Sequence, residues 1–175
     1  MLNSNDEVLF IAEVSANHLG SLERARELVT AAAKAGATAV KFQTYTADTM
    51  TLNLPNLSVT QGHQLWGGRT LYSLYEEAHT PWEWHETLFK TAKEEGLICF
   101  SSPFDKTAVD LLESLNTPAY KIASFEITDI PLIEYTASKM KPIILSTGIS
   151  TQEDISLAID TCLRVGNNNI ALLIL

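Results

Sequence analysis

Cysteine is scarce in this sequence, and so are long apolar runs, basic charge and glycine-rich turns. The two cysteines, Cys99 and Cys162, lie far apart, each inside an apolar run. That pattern excludes a disulfide framework and a zinc-type ligand spacing, and it leaves buried free thiols as the simpler reading. No apolar run approaches the roughly 18 residues of a membrane helix. Met1 to Glu7 has no basic stretch leading into an apolar one, so no signal peptide is expected. We therefore expect a cytoplasmic chain without membrane contact. Lys and Arg number 12 against 21 Asp and Glu, a formal net charge of −9. Broad nucleic-acid binding needs a basic patch and is not expected. An anionic small substrate stays open, because a few inward lysines make a positive pocket on an acidic protein. The first strand leads into Ser15-Ala16-Asn17-His18-Leu19-Gly20, which lacks the glycine pattern of a dinucleotide fold.

What is present is an alternation. The chain of 175 residues is 46% hydrophobic, ample for one core. Apolar runs at Val8–Val14, Ala39–Gln43, Leu97–Ser101, Ala119–Ser124, Pro142–Ser146 and Ile170–Leu175 read as strands. Between them lie helical patterns. Ser21 caps a helix from Leu22 to about Ala35, stopped by Gly36, with Leu22, Ala25, Leu28, Val29 and Ala32 on one face. Leu71–Ala78 reads as a short helix. Thr80-Pro81-Trp82-Glu83 reads as a helix start with Thr as cap and Pro at the first position. Asp105 caps a helix over Lys106–Leu115, another runs from about Pro131 to Lys139, and Ser150 with Glu153 forms a capping box for a helix to about Val165. The long segment from Thr44 to about Arg69 has no clear period, which suggests a functional or mobile connection.

Apolar strands alternating with amphipathic helices mean a parallel α/β sheet, either an open doubly wound one or a (β/α)₈ barrel. Polar residues recur at the strand C-terminal ends: Glu13, Gln43, Ser101, Ser102, Ser124, Glu126, Ser146 and Thr147. That ring favours the active face of a TIM barrel. About six strands are visible where a barrel needs eight, and the chain stops inside an apolar run, so we expect a partial barrel over residues 1–175.

Two lysines carry the chemical signal. Lys121 interrupts the apolar run Ala119–Ser124, and Lys41 interrupts Ala39–Gln43. A buried unpaired ammonium is costly, so something anionic should meet Lys121. Surface lysines on misread strands are the plainer alternative. The pair can instead clamp a phosphate or carboxylate, or one lysine can form a Schiff base if burial lowers its pKa. Ser102, Ser124, Ser146 and Thr147 suit hydroxyl contacts to phosphate, although each alone reads equally as a helix cap. Glu13 and Glu126 are acid/base or sugar-hydroxyl candidates, with a cap or an ion pair to a lysine as the alternative. Asn17, His18 and Gln43 are substrate-contact candidates, with a solvated loop histidine as the ordinary reading of His18. His63, His79 and His85 have no metal-ligand spacing, and Trp66, Trp82 and Trp84 read as packing residues.

Phe10-Ile11-Ala12-Glu13, Asn17-His18-Leu19-Gly20, Val40-Lys41-Phe42-Gln43-Thr44, Phe100-Ser101-Ser102-Pro103-Phe104, Tyr120-Lys121-Ile122-Ala123-Ser124 and Leu145-Ser146-Thr147-Gly148 resemble the sialic acid synthase family in order and spacing. Glu13-Val14-Ser15-Ala16-Asn17-His18, Leu71-Tyr72-Ser73-Leu74-Tyr75-Glu76, Thr80-Pro81-Trp82-Glu83-Trp84-His85 and Ser124-Phe125-Glu126 resemble its branch that makes pseudaminic acid. The resemblance implies a TIM barrel that condenses phosphoenolpyruvate with a 2,4-diacetamido-2,4,6-trideoxy hexose, releasing phosphate. The alternatives are a neuraminate or legionaminate synthase, or a truncated remnant without activity. It also implies a divalent metal, Mn or Mg, and a homodimer at full length. Lys41, Ser102, Lys121, Ser124 and Ser146 match its phosphoenolpyruvate positions, and Glu13 and Glu126 match positions near the sugar. The family's two metal-binding histidines, and a small C-terminal domain that reaches the partner's site, lie beyond the sixth strand. No metal ligand is therefore expected within these residues, and the chain alone is expected to be inactive.

Overall fold

A computed structural model describes residues 8–57 and 67–174. The parallel strands are β1 (Ile11–Glu13), β2 (Ala39–Thr44), β3 (Ile98–Pro103), β4 (Tyr120–Ile122), β5 (Ile143–Ser146) and β6 (Ile170–Leu173). Their spatial order is their sequence order, β1-β2-β3-β4-β5-β6, with every pair parallel. A doubly wound sheet reverses strand order partway across. The sequential order instead means that every crossover turns the same way, as in a barrel, and the six strands form a curled half-barrel.

The helices are α1 (Leu22–Lys34), α2 (Ala47–Met50), α3 (Leu71–Ala78), α4 (His85–Glu94), α5 (Lys106–Ser114), α6 (Ile130–Ala137) and α7 (Gln152–Arg164). Helices α1, α4, α5, α6 and α7 cover one face of the sheet. Val40, Phe42 and Cys99 pack against Ala25 and Val29 of α1 and Leu88 and Ala92 of α4. Ile122, Ile143 and Leu145 pack against Ile133 of α6 and Ala158 and Cys162 of α7, so both thiols are buried and free. Tyr120 packs on Val109 and Leu112 of α5 and Leu132 of α6. On the opposite face Ala39, Phe100, Ala119 and Ile144 meet one another with Ile98 and Ala171, and no helix residue joins them. Inner side chains of five segments can touch only because the sheet curls.

Several boundaries differ from the sequence pattern. Strand β1 is shorter than Val8–Val14, and Val8 and Phe10 are exposed, because the sheet pairs it on one side only. Strand β4 stops at Ile122, since Ser124–Thr128 coils into a 3-10 turn. Helix α6 begins at Ile130, capped by Asp129 through Leu132 N at 3.0 Å, and ends at Ala137. The capping box of α7 is Thr151 with Asp154, one residue later than Ser150 and Glu153. Thr80 is not a helix cap. Pro81 stays extended, Trp82–Trp84 forms a 3-10 turn, and α4 begins at His85. The stretch after β2 holds α2, while His63 and Trp66 lie outside the described residues.

Candidate functional site

Side chains alternate along a strand, so residues two apart share a face. The apolar inner cluster of Ala39, Phe100, Ala119 and Ile144 therefore sets what stands above it. Two residues further along each strand come Lys41, Ser102, Lys121 and Ser146. All four lie on the inner face of four neighbouring strands, Ser102 and Ser146 at or next to the C-terminal ends and Lys41 and Lys121 mid-strand. The expected lysines and serines are thus brought together as one polar layer on an apolar floor.

Within that layer Lys41 is nearly buried and forms an ion pair with Glu13 of the adjacent strand, in register with it. The second oxygen of Glu13 accepts the Ser15 backbone N–H at 3.0 Å. The expectation of an anion meeting Lys121 is not met by a contact: among the described residues no carboxylate forms an ion pair with it. Glu13 and Glu126 act on Lys121 only through space. Burial and the Lys41 charge outweigh them and lower its amine to about 8. Burial raises the carboxyl of Glu126, and its Oε2 has no partner. Ser102 and Ser146 are fully buried, and neither hydroxyl has a hydrogen-bond partner. Buried hydroxyls without partners are costly and uncommon in folded proteins. Here two of them flank two cationic side chains. The layer has the donors and the positive charge that an anion with several oxygens requires.

The other candidates fall around this layer. Gln43 accepts the Ser15 hydroxyl at 3.0 Å. Ser124 begins the 3-10 turn that also carries Glu126, half-buried. Thr147 is tied to β6, its N–H and hydroxyl both donating to the Leu173 carbonyl at 3.1 and 3.2 Å. Asn17 braces the loop after β1 by donating to Val14 O at 2.9 Å. His18 is neither solvated nor open to a ligand. Its ring is fully buried, Nδ1 accepts the Gly20 N–H at 3.1 Å, Nε2 meets Thr80 Oγ1 at 3.4 Å, and Trp84 packs edge-on to it. Burial lowers its pKa and keeps it neutral. That loop carries two non-glycine residues in the left-handed region, Ser15 at φ 46° and Leu19 at φ 50°, strain of the kind found at functional turns.

Two groups were not legible in the sequence, the network behind the layer and the pocket beside it, whereas Trp82 and Trp84 have the packing role expected of them. Behind the layer, Thr44 Oγ1 bonds both Ser101 Oγ at 2.7 Å and His85 Nε2 at 2.8 Å, a buried network locking β2, β3 and the start of α4. Trp84 packs on the core beside α1, and Trp82 Nε1 reaches Tyr45 O at 3.4 Å, so both serve packing. Beside the layer lies a pocket of about 430 Å³ between the β1–α1 loop, Gln43 and α3, lined also by Tyr45, Tyr75 and Arg69. The three-and-four spacing of Leu71, Leu74, Tyr75 and Ala78 was visible, but it resembles an ordinary core-facing stripe. Among the described residues no three His, Cys, Asp or Glu side chains converge as a metal site. The carboxylates present do not fit a divalent ion on their own, since Glu13 is held by Lys41 and Glu126 stands apart on its turn.

Residues 28–174 match the NeuB family. The chain is 50% identical over 153 residues to the pseudaminic acid synthase of Campylobacter jejuni, covering 87% of this chain and 45% of that protein. It is 50% identical over 163 residues to that of Helicobacter pylori, covering 93% and 48%. The chain thus spans about half the length of these relatives. Among solved structures, the N-acetylneuraminic acid synthetase of Leptospira borgpetersenii, crystallised with citrate, superposes with a TM-score of 0.85 at 24% identity, over 99% of this chain and 57% of that one. At that identity the likeness is one of fold.

Proposed function

The chain belongs to the NeuB family, and from that premise we propose that it forms the phosphoenolpyruvate-binding part of a synthase. The reaction is condensation of phosphoenolpyruvate with a 2,4-diacetamido-2,4,6-trideoxy hexose to pseudaminic acid and phosphate. One observation supports it above the rest: the unpartnered hydroxyls of Ser102 and Ser146 stand in one layer with Lys41 and Lys121. Phosphoenolpyruvate has two anionic ends, and the layer offers two cations and two donors. The enol carbon forms the new C–C bond to the sugar aldehyde carbon. Water adds to the cationic carbon left behind, and the C–O bond to phosphate breaks with the electron pair leaving on phosphate. Lys41 and Lys121 oppose the anionic charge throughout, in place before the reaction begins. Glu13 and Glu126, at the layer's rim, accept from sugar hydroxyls or take the proton from water.

The reading includes a divalent metal whose ligands the described residues do not supply, and no step here runs through it. It also includes a cytoplasmic location, consistent with two buried free thiols, and a homodimer of the whole protein. The sugar assignment follows the two relatives at 50% identity, both pseudaminic acid synthases. Phosphate release that needs both phosphoenolpyruvate and the sugar, assayed in the full-length protein, is the expected result. Clear preference for N-acetylmannosamine in competition rejects the branch assignment. The low pKa of Lys121 favours one other reading, a Schiff-base aldolase. Borohydride trapping of a keto acid on Lys121 would replace the synthase reading with that one.

A further inference from the structure

Helix α3 carries an apolar stripe, Leu71, Leu74, Tyr75 and Ala78, yet none of its residues is buried. Helix α4, by contrast, buries Leu88 and Ala92 against the sheet. The α3 stripe instead lines the pocket of about 430 Å³, a size suited to a small ligand. The facing wall is polar and held in place. Ser15 donates to Gln43 Oε1 at 3.0 Å, which leaves the Gln43 amide hydrogens to donate elsewhere. Gln43 sits two residues beyond Lys41 on β2, roughly 7 Å further out along the strand. Gln43 lines the pocket and shares β2 with Lys41, so the pocket lies further out along the strand that carries part of the polar layer. The Tyr45 ring, in edge contact with Tyr75 and Phe104 at centroid distances of 5.9 and 5.5 Å, sets the shape of its inner end.

A pocket with an amide donor on one wall and an aliphatic-aromatic stripe on the other matches an N-acyl group, carbonyl to the donor and methyl to the stripe. We propose that it receives the N-acyl arm of the sugar that is remote from the reacting carbon, and that Leu74, Tyr75 and Ala78 set which acyl amino sugar is accepted. The assignment rests on the synthase reading. An acyl arm beside the reacting aldehyde stays over the Lys41 layer, whereas the remote arm has the reach to pass Gln43.

The test uses the full-length protein saturated with phosphoenolpyruvate and titrated calorimetrically with sugars reduced to their alditols, so that no condensation occurs. Ala78→Leu narrows the pocket along the α3 wall. It is expected to weaken the di-N-acetyl compound by at least tenfold, the order expected for one misfitting alkyl group, and to leave a mono-N-acetyl compound lacking the remote arm unchanged. Equal losses for both compounds, or no loss, overturn the assignment. Leu74→Ala enlarges the pocket and decides the matter if Ala78→Leu does not fold. It should raise affinity for a remote N-propanoyl analogue relative to N-acetyl by about fivefold, and an unchanged ratio overturns the assignment. Wild-type protein that fails to bind phosphoenolpyruvate removes the synthase reading itself, an outcome separate from either variant's behaviour.

Discussion

Ser102 and Ser146 each bury a hydroxyl without a partner, which costs folding free energy, and in the proposed site a bound anion would supply that partner. Ser102→Ala and Ser146→Ala should leave the melting temperature unchanged or raise it. Each should weaken phosphoenolpyruvate by about 1.5–3 kcal/mol, the value of a hydrogen bond to a charged group. A drop in stability with unchanged affinity would refute the role given to them. Lys121 offers a second test. Its amine stands near 8 without ligand, and an anion favours the charged form. Binding should therefore take up a proton at higher pH. Affinity should be flat below about pH 8 and fall by up to tenfold per pH unit above it. Lys121→Met should abolish that slope and cost about 2–5 kcal/mol of affinity. A wild-type profile flat from pH 7 to 9.5 would sink the assignment.

At the scale of elements, the network of Ser101, Thr44 and His85 joins β2, β3 and α4 just behind the anion layer. Thr44→Val conserves shape and removes the partner of the buried Ser101 hydroxyl and of His85 Nε2, a cost of about 1–3 kcal/mol. Urea unfolding should show a lower midpoint with an unchanged slope. His85 and His18 are both buried neutral, with burial the main cause of their lowered pKa values. Below the ordinary imidazole value of about 6.5 the unfolded chain takes up protons that the folded chain refuses. Stability should therefore fall as pH drops below that value, over and above the carboxylate contribution at lower pH. A His85→Gln variant that keeps the full acid sensitivity between pH 6.5 and 5 would assign the effect elsewhere.

At the scale of the whole molecule, the strand order among the described residues leaves β1 and β6 each paired on one side only. Their surroundings are apolar: Val8, Phe10, Ile11, Leu172, Leu173 and Ile174 are all exposed. Open apolar edges template association. A polypeptide limited to these 175 residues should therefore associate or precipitate, and should release no phosphate from phosphoenolpyruvate and sugar with manganese added. A monodisperse monomer by light scattering contradicts the first expectation, and substrate-dependent phosphate release contradicts the second.

The alternation of apolar strands and amphipathic helices was legible residue by residue, because burial on both faces of a parallel strand demands it. So were the caps Ser21 and Asp105, the two interrupting lysines and the polar strand ends, since each is a local chemical preference. Three decisions needed the folded chain. Period two shows that Ser101 and Ser102 point opposite ways, but only the helices covering one face send Ser102 to the ligand layer and Ser101 to Thr44. Glu13 pairs with Lys41 rather than Lys121 because β1 lies beside β2, a choice of neighbour that no local pattern encodes. The stripe on α3 looks like any core-facing helix, and only the fold sets it across a pocket from the β1–α1 loop and Gln43 rather than against the sheet. Local sequence sets which side chains are available and with what spacing. Which of them meet is set by strand order and sheet curvature, and these arise from contacts between residues distant along the chain.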